Sequence, residues 1–222
     1  MSIKITTQPS VEPVTLAEAK LHLRVDIADD DTLITSLIAA ARQQAENITR
    51  RALCTQSWVL VLDSFPSPSA NVSSANWYGP QWGIAPGPLS VLKPDGKSGF
   101  EIFLPLPPLA SVESIKYIDT DGTQITLANT EYKVDLTSEP ARIVPAYGKA
   151  WPATRSEIAA VEVAFTCGYG AAAAAVPQGI KNWMLLRIGA MYENREEIVV
   201  GSGVNKVQFV DGLLDQFRVV SF

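Results

Sequence analysis

The sequence predicts an α+β protein: a helical body made of an N-terminal helix pair and a long C-terminal helix, with a central antiparallel β-rich insertion and an extended C-terminal tail. Three patterns lead to this prediction: a long amphipathic stretch near the N-terminus, alternating apolar residues through the middle, and a second helical stretch near the C-terminus. We expect residues 1–55 to form the first helical part, 56–170 the insertion, 171–200 the returning helix and 201–222 a flexible docking tail.

The longest helical pattern runs from Asp31 to Leu53, and a shorter one from Leu16 to about Arg24 precedes it. In the longer stretch, apolar residues recur at steps of three and four, which places them on one side of a helix. An Asp at its start can accept the unpaired amide hydrogens of the first turn. Thr15 and Glu18 form a capping box ahead of the shorter helix. Because so short a helix is unstable alone, we expect it to pack on the longer one.

The apolar period changes to two after residue 55, which is typical of β-strands. Gln56–Leu62 is rich in β-branched and aromatic residues and predicts the first strand. Residues 112–118 and 123–127 predict a hairpin, because Asp121 and Gly122 between them suit the positive φ angles of a tight turn. Further strands are predicted at residues 100–104, 132–136, 142–144 and 160–165.

The stretch 67–99 breaks the strand pattern, because it is dense in Pro, Gly, Ser and Asn. A loop of this length inside a compact domain is uncommon, so we expect it to be either mobile or ordered by contacts outside its own core. It carries Trp77, Tyr78 and Trp82. These aromatic residues suit a contact surface, and they equally suit a loop that folds back over a sheet edge.

The second helical pattern begins at Pro177, whose missing amide hydrogen suits the first position of a helix. Its apolar stripe predicts packing against the first long helix. Residues 201–203, Gly-Ser-Gly, form a hinge ahead of an apolar tail that runs from Val204 to Phe222. Such a tail needs a cover, and both its own domain and a neighbouring subunit are candidates.

Composition and charge exclude several classes of protein. The net charge of -5 opposes general nucleic-acid binding, which depends on Lys and Arg neutralising phosphates. The N-terminus has no apolar run of signal-peptide length and the chain has no apolar membrane span, so we expect a soluble product made in the cytoplasm. Cys54 and Cys167 belong to no metal-binding spacing, and we expect reduced, partly buried thiols.

A search for chemistry finds no specific motif, so we expect no enzyme, no cofactor and no metal site. His22 is the only histidine and lies at a helical position, which favours a structural role. Asp29, Asp30 and Asp31 lack the alternating ligands of a calcium loop. Glu193 belongs to a solvated or interfacial charge cluster with Arg195 and two further glutamates, and nucleophile elbows and phosphate loops are missing from the sequence.

A series of short motifs follows in order along the chain. The first half contains Pro13 to Arg24 with the capping box, Asp29-Asp30, Leu33-Ile34, Arg51-Ala52-Leu53, Gln56-x-Trp58 and Asp63-x-Phe65-Pro66. The second half contains Leu104-Pro105 with Pro108, Ser111-Val112, Tyr117-x-Asp119-x-Asp121-Gly122, Tyr132-x-Val134-Asp135, Trp151-Pro152, Tyr192 to Glu196, Leu213-Leu214 and Phe217-Arg218. Taken in this order, the motifs resemble the head-tail connector proteins of long-tailed bacteriophages and of phage-derived gene transfer agents.

The resemblance implies a structural virion protein without catalytic activity, in the neck between capsid and tail. It implies a ring, typically of twelve copies, that contacts the portal protein and a stopper or tail-completion protein and lets DNA pass without sequence-specific binding. The tail from about Val204 would dock into the portal or an adjacent subunit. Residues expected at these interfaces are Arg42, Glu46, Arg50, Arg51, Trp77, Tyr78, Trp82, Glu193, Arg195, Glu196, Phe209, Leu213, Leu214, Phe217 and Arg218. The alternative is a monomeric ligand-binding or tail accessory module that uses the aromatic loop 77–82.

Overall fold

The structure, a computed structural model, describes residues 1–66, 100–194 and 212–219. The chain forms two compact units. The β unit consists of Met1–Gln8 and Ser57–Cys167, and the helical unit consists of Pro9–Gln56 and Gly168–Phe222. The predicted mixture of helices and antiparallel strands is therefore confirmed.

Two antiparallel sheets make up the described part of the β unit. The five-stranded sheet has the order β1-β2-β8-β4-β5 and the three-stranded sheet the order β3-β7-β6. The strands are β1 (Ser2–Thr7), β2 (Gln56–Leu62), β3 (Ile102–Leu104), β4 (Leu109–Ile118), β5 (Gln124–Leu127), β6 (Tyr132–Asp135), β7 (Ala141–Pro145) and β8 (Val161–Cys167). Alternate residues of β8 are buried, as the period of two in its sequence predicts.

The β4–β5 hairpin follows from its turn residues. Gly122 has a φ of +89°, and the Asp119 Oδ1 atom accepts hydrogen bonds from the backbone amides of Asp121 and Thr123 at 3.0 and 2.8 Å. The strands pair from Ile118 opposite Gln124 onward. The predicted hairpin is confirmed, with the turn at the predicted Asp-Gly pair.

The N-terminal residues lie in the β unit rather than in the helical part expected for residues 1–55. β1 pairs antiparallel with β2, placing Ile3 opposite Leu60 and Ile5 opposite Trp58. This pairing gives the backbone N–H and C=O groups of residues 2–7 their hydrogen-bond partners. It also covers an edge of β2 that would otherwise be unpaired. The strand predicted over 100–104 is shorter in the structure and occupies Ile102–Leu104.

The helical unit contains α1 (Leu16–Leu23), α2 (Asp31–Thr49) and α3 (Gln178–Glu193) among its described residues. Both α1 and α3 pack on α2, which confirms the two predicted helix contacts. Their shared core is apolar and closely packed. It consists of Val14, Ala19, Ile34, Ile38, Ala41, Ala45, Leu53, Cys54, Val176, Ile180, Trp183, Met184, Ile188 and Leu214.

The ends of the long helices differ from the prediction. α2 ends at Thr49 rather than near residue 53, because Arg50 adopts a left-handed conformation with a φ of 56° that ends the helix. The carboxylate of Asp30 makes no capping hydrogen bond to the first turn of α2. Pro177, the predicted first helical residue, is the N-cap of α3, and the helix begins one position later at Gln178.

None of the helices in the described part of the chain is long and apolar enough to cross a membrane. Cys54 and Cys167 form no disulfide, as expected for reduced thiols. Both side chains are buried more fully than the expected partial burial.

Candidate assembly surfaces

Side-chain contacts fix the start of α1 and the connection between α1 and α2. In the capping box, the Thr15 amide donates to Glu18 Oε2 at 2.7 Å, and the Glu18 amide donates to Thr15 Oγ1 at 3.2 Å. Lys20 Nζ lies 2.6 Å from Asp31 Oδ1 and donates to the Ile27 carbonyl oxygen at 2.8 Å. The short helix and the following turn are therefore fixed to the start of α2.

This connection exposes two large aliphatic side chains. Leu21 is 82% exposed and Ile27 is 61% exposed. Asp26 and Asp29 are also exposed, and neither takes part in an ion pair within residues 1–66, 100–194 and 212–219. We call these four residues the turn surface. Apolar side chains flanked by charged ones are typical of protein contact sites.

The charge of Glu18 is stabilised at the N-terminus of α1. Hydrogen bonds from the backbone and hydroxyl of Thr15 lower the pKa of this carboxyl group, and Lys181 lowers it further. Lys181 is buried, and its Nζ atom lies 3.6 Å from Glu18 Oε1. This pair connects α3 to the start of α1.

Arg42 is the centre of a polar network in the helical unit. Its Nε atom donates to Glu12 Oε2 and its Nη1 atom to Glu46 Oε2, both at 2.8 Å. Glu46 Oε1 also accepts bonds from the Leu53 amide at 3.0 Å and from Gln56 Nε2 at 2.8 Å. The expectation that Arg42 lies on an exposed flank is wrong, because its ion pairs draw the side chain inward until only 6% of it is exposed.

Cys54 lies near this network and is chemically quiet. Burial raises the pKa of its thiol to about 11, and the carboxylates of Glu12 and Glu46 act in the same direction. Because the thiolate is the reactive form, the thiol is a poor nucleophile at neutral pH. Its role in the structure is to fill the core.

The C-terminal segment 212–219 packs on its own helical unit. Leu214 is 0% exposed and belongs to the helical core. Arg51 Nε donates to the Phe217 carbonyl oxygen at 2.5 Å, and the Val219 amide donates to the Thr49 carbonyl oxygen at 3.0 Å. Of the two covers left open for the tail, the structure selects its own unit for this segment. The expectation that Arg51 is exposed is also wrong, because only 9% of this residue is exposed.

The other residues expected at interfaces fall into three groups. Arg50, Glu193 and Arg218 are exposed, whereas Glu46, Leu213 and Phe217 are partly buried. Arg218 forms an ion pair with Asp215 at 3.3 Å. Outside the described residues lie Trp77, Tyr78, Trp82, Arg195, Glu196 and Phe209.

A second polar cluster lies on the three-stranded sheet. Arg142 donates to Asp135 Oδ2 at 2.9 Å and to Glu101 Oε1 at 2.7 Å. Hydrogen bonds from the hydroxyl of Thr137, then from Arg142 and the backbone of Thr137, hold the pKa of Asp135 well below its usual range. This cluster joins β3, β7 and the end of β6.

The described residues contain no group of three or more His, Cys, Asp and Glu side chains that could hold a metal ion. His22 is exposed on α1, and its ring lies near Gly189 of α3.

Residues 13–75 match the family model described as phage gp6-like head-tail connector protein. The resemblance to head-tail connector proteins is confirmed. The matched segment contains α1, the turn surface, α2 and β2. A comparison with curated proteins gives no match.

The fold extends this similarity along the whole chain. A chain from the virion of a native gene transfer agent particle is 21% identical, with a TM-score of 0.71, and the alignment covers 100% of this chain and 97% of that chain. Chains from two neck structures align with the same coverage: an empty particle computed with C6 symmetry, at 21% identity and a TM-score of 0.69, and a native particle computed with C12 symmetry, at 20% and 0.67. At this identity the likeness shows that the fold is shared.

Sequence reasoning missed Glu12 and the Asp135 cluster. Arg42 and Glu46 are four residues apart on a helix, a spacing that signals an ion pair. Glu12 is 30 residues from Arg42, and no local pattern connects them. Asp135 and Arg142 face each other only because β6 and β7 pair.

Proposed function

We propose that this chain is the head-tail connector adaptor of a phage-like particle. In this role it forms a ring below the portal, joins the capsid to the tail and lets DNA pass. The observation that carries the proposal is the fold match over 100% of this chain and 97% of a chain in a gene transfer agent virion. The family match over residues 13–75 supports the same role independently.

The proposed assembly is a closed ring of twelve copies of this chain. The similar neck particles were computed with C12 and C6 symmetry, and both are compatible with twelve positions around an axis. In a cyclic ring of more than two copies each contact is heterologous, so two unlike surfaces of the same chain meet. The chain must therefore carry two different and complementary patches.

The proposed partners on either side of the ring are the portal protein and a stopper or tail-completion protein. DNA in the lumen would meet a protein with a net charge of -5, which repels phosphate and favours passage over binding. The work of the protein is mechanical, and the proposal includes no catalytic step. The buried Leu214 argues against segment 212–219 as the portal-docking element, so that segment is no longer part of the proposal.

Electron microscopy of the chain with its portal protein tests the proposal. We expect particles in which a ring of this chain caps one end of the portal, and a native mass that gives twelve copies per portal. Portal alone is the control, because it shows which density belongs to the added ring. A chain that stays monomeric in the presence of portal, and that is absent from the necks of purified particles, would refute the function.

A further inference from the structure

The exposed side of α2 carries no charged residue. Six positions of this helix are exposed, and they follow one another along one side: Thr32, Thr35, Ser36, Ala40, Gln43 and Asn47. We call them the α2 face. The other two helices of the described chain differ, since Glu18 and His22 are exposed on α1, and Arg187 and Glu193 on α3.

A neutral, small-residue face of this length is unusual for a helix surrounded by water. Soluble proteins are designed with charged side chains at about 25–35% of surface positions, whereas the centres of protein contacts are depleted of charge. The 19 residues of α2 extend over about 28 Å at 1.5 Å per residue, which is long enough for one side of an ordinary interface. The charged residues of α2 nearest this face, Arg42 and Glu46, are turned into the internal network.

The turn surface is its physical complement. It presents the strongly exposed Leu21 and Ile27, which need an apolar or neutral receiver, and the exposed carboxylates Asp26 and Asp29. The bonds of Lys20 hold this turn in place, so little conformational entropy is lost when it docks. A turn that is held in place in this way suits docking on the uncharged α2 face.

A basic side chain lies beside the α2 face. Arg187 of α3 is exposed, and its Nε atom donates to Gln44 Oε1 of α2 at 2.8 Å. It could meet Asp26 or Asp29 of a docked turn surface without leaving α2. Arg187 on one surface and these two carboxylates on the other thus complement each other in charge.

We infer that the turn surface of one copy packs on the α2 face of the next copy around the ring. The occupant is a second copy because both halves of a heterologous contact are then present on the same chain, as cyclic closure requires. This inference rests on the proposed ring and adds the surfaces that close it. Leu21 and Ile27 would lie at the centre of the contact, with Asp26, Asp29 and Arg187 at its rim.

Cross-linking within the assembled ring tests this contact. Ile27→Cys and Ala40→Cys are introduced into one chain, and portal-bound rings are treated with a short bis-maleimide. The native Cys54 and Cys167 are buried, so they contribute little background. We expect a ladder of covalent multimers on a denaturing gel, with mass spectrometry identifying a link between positions 27 and 40 of different copies. The matched control pairs Ile27→Cys with Gln124→Cys, an exposed position on β5 that should give no ladder.

The outcomes separate this inference from the proposed function. Rings without a ladder from the 27 and 40 pair, or equal ladders from both pairs, overturn the inference and leave the ring intact. A cross-link from position 40 to the portal or to another virion protein also overturns it, and assigns the α2 face to that protein. If the chain forms no ring with portal, the proposed function fails first.

A charge placed on the α2 face gives an independent test. Ala40→Glu should lower the yield of rings about tenfold or more, because it places a carboxylate against Leu21 and Ile27 and near Asp26 and Asp29 of the neighbour. Its melting temperature as a free chain should match that of the parent, since position 40 is exposed. Gln124→Glu is the control and should assemble normally. Normal ring yield from Ala40→Glu would contradict the inference.

Discussion

Replacing Leu214 by Ala tests whether the C-terminal segment belongs to the helical core. The side chain is 0% exposed, so Ala removes three carbon atoms from a filled site. At about 0.8 kcal/mol per buried methylene the transfer term is about 2.4 kcal/mol. The remaining cavity raises the expected loss in free energy of unfolding to about 3 kcal/mol, within the usual range of about 2–5 kcal/mol for such changes.

Urea denaturation followed by tryptophan fluorescence is the appropriate assay, because Trp183 lies in the same core cluster as Leu214. We expect a lower midpoint with an unchanged slope, which signifies lost stability without a change in the surface exposed on unfolding. Arg218→Ala is the matched control in the same segment. Arg218 is exposed and paired only with the exposed Asp215 in the described contacts, so its removal should cost below about 0.5 kcal/mol.

A loss below about 1 kcal/mol for Leu214→Ala would refute this reasoning. It would mean that segment 212–219 leaves the helical unit at little cost, so that a core contact does not hold it there. The tail would then again be available to a neighbouring subunit. A loss near 3 kcal/mol with a silent Arg218→Ala supports docking on the chain's own unit.

Three further changes test the rest of the structure. Glu46→Ala leaves a buried arginine half-paired and two donors unpaired, so urea denaturation should show a loss of about 3 kcal/mol, with a smaller loss for Glu46→Gln. Asp135 has a lowered pKa in the folded chain, so as the pH drops below about 3.9 the unfolded chain takes up this proton first and the folded chain loses stability. The melting temperature should therefore fall between pH 5 and 2, and Asp135→Asn should remove the part of that fall that Asp135 causes. Gly168→Ala would place a Cβ atom 2.3 Å from a backbone oxygen, so it should cost at least about 2 kcal/mol more than Gly148→Ala, where φ is also positive but the space is open. An unchanged urea midpoint for Glu46→Ala would contradict the first prediction, and an acid profile that Asp135→Asn leaves unchanged would contradict the second. Equal losses for Gly168→Ala and Gly148→Ala would contradict the third.

The elements that the sequence predicts well are those whose defining residues lie within a few positions of one another along the chain. The capping box at Thr15 and Glu18 defines the start of α1, and the Asp-Gly pair defines the β4–β5 turn. The end of α2 was misplaced for a physical reason. Ala52 and Leu53 are fully buried although they follow the helix, so burial continues the apolar pattern past the point where Arg50 stops the hydrogen bonding.

The positions that sequence reasoning could not place depend on distant partners. Arg42 lies at the border of the apolar stripe, where a helical wheel suggests exposure. Glu12, 30 residues earlier, and Glu46 satisfy its charge, which makes burial possible. Leu214 is similar, because only the folded helical unit shows that a core site is available to the C-terminal segment.

The distribution of charge in the helical unit suits the proposed ring. With -5 per chain, twelve copies would carry about -60 in total, and like charges brought together at twelve contacts would oppose closure. A neutral α2 face avoids that repulsion where the copies meet, and Arg42 and Glu46 neutralise each other inside the unit instead of at its surface. Charge can then lie at the rim of the contact, where Asp26 and Asp29 would meet Arg187, and on the remaining surface, where negative charge disfavours phosphate binding. A subunit that must both associate with its own kind and release DNA is expected to keep charge away from the centre of its contacts in this way.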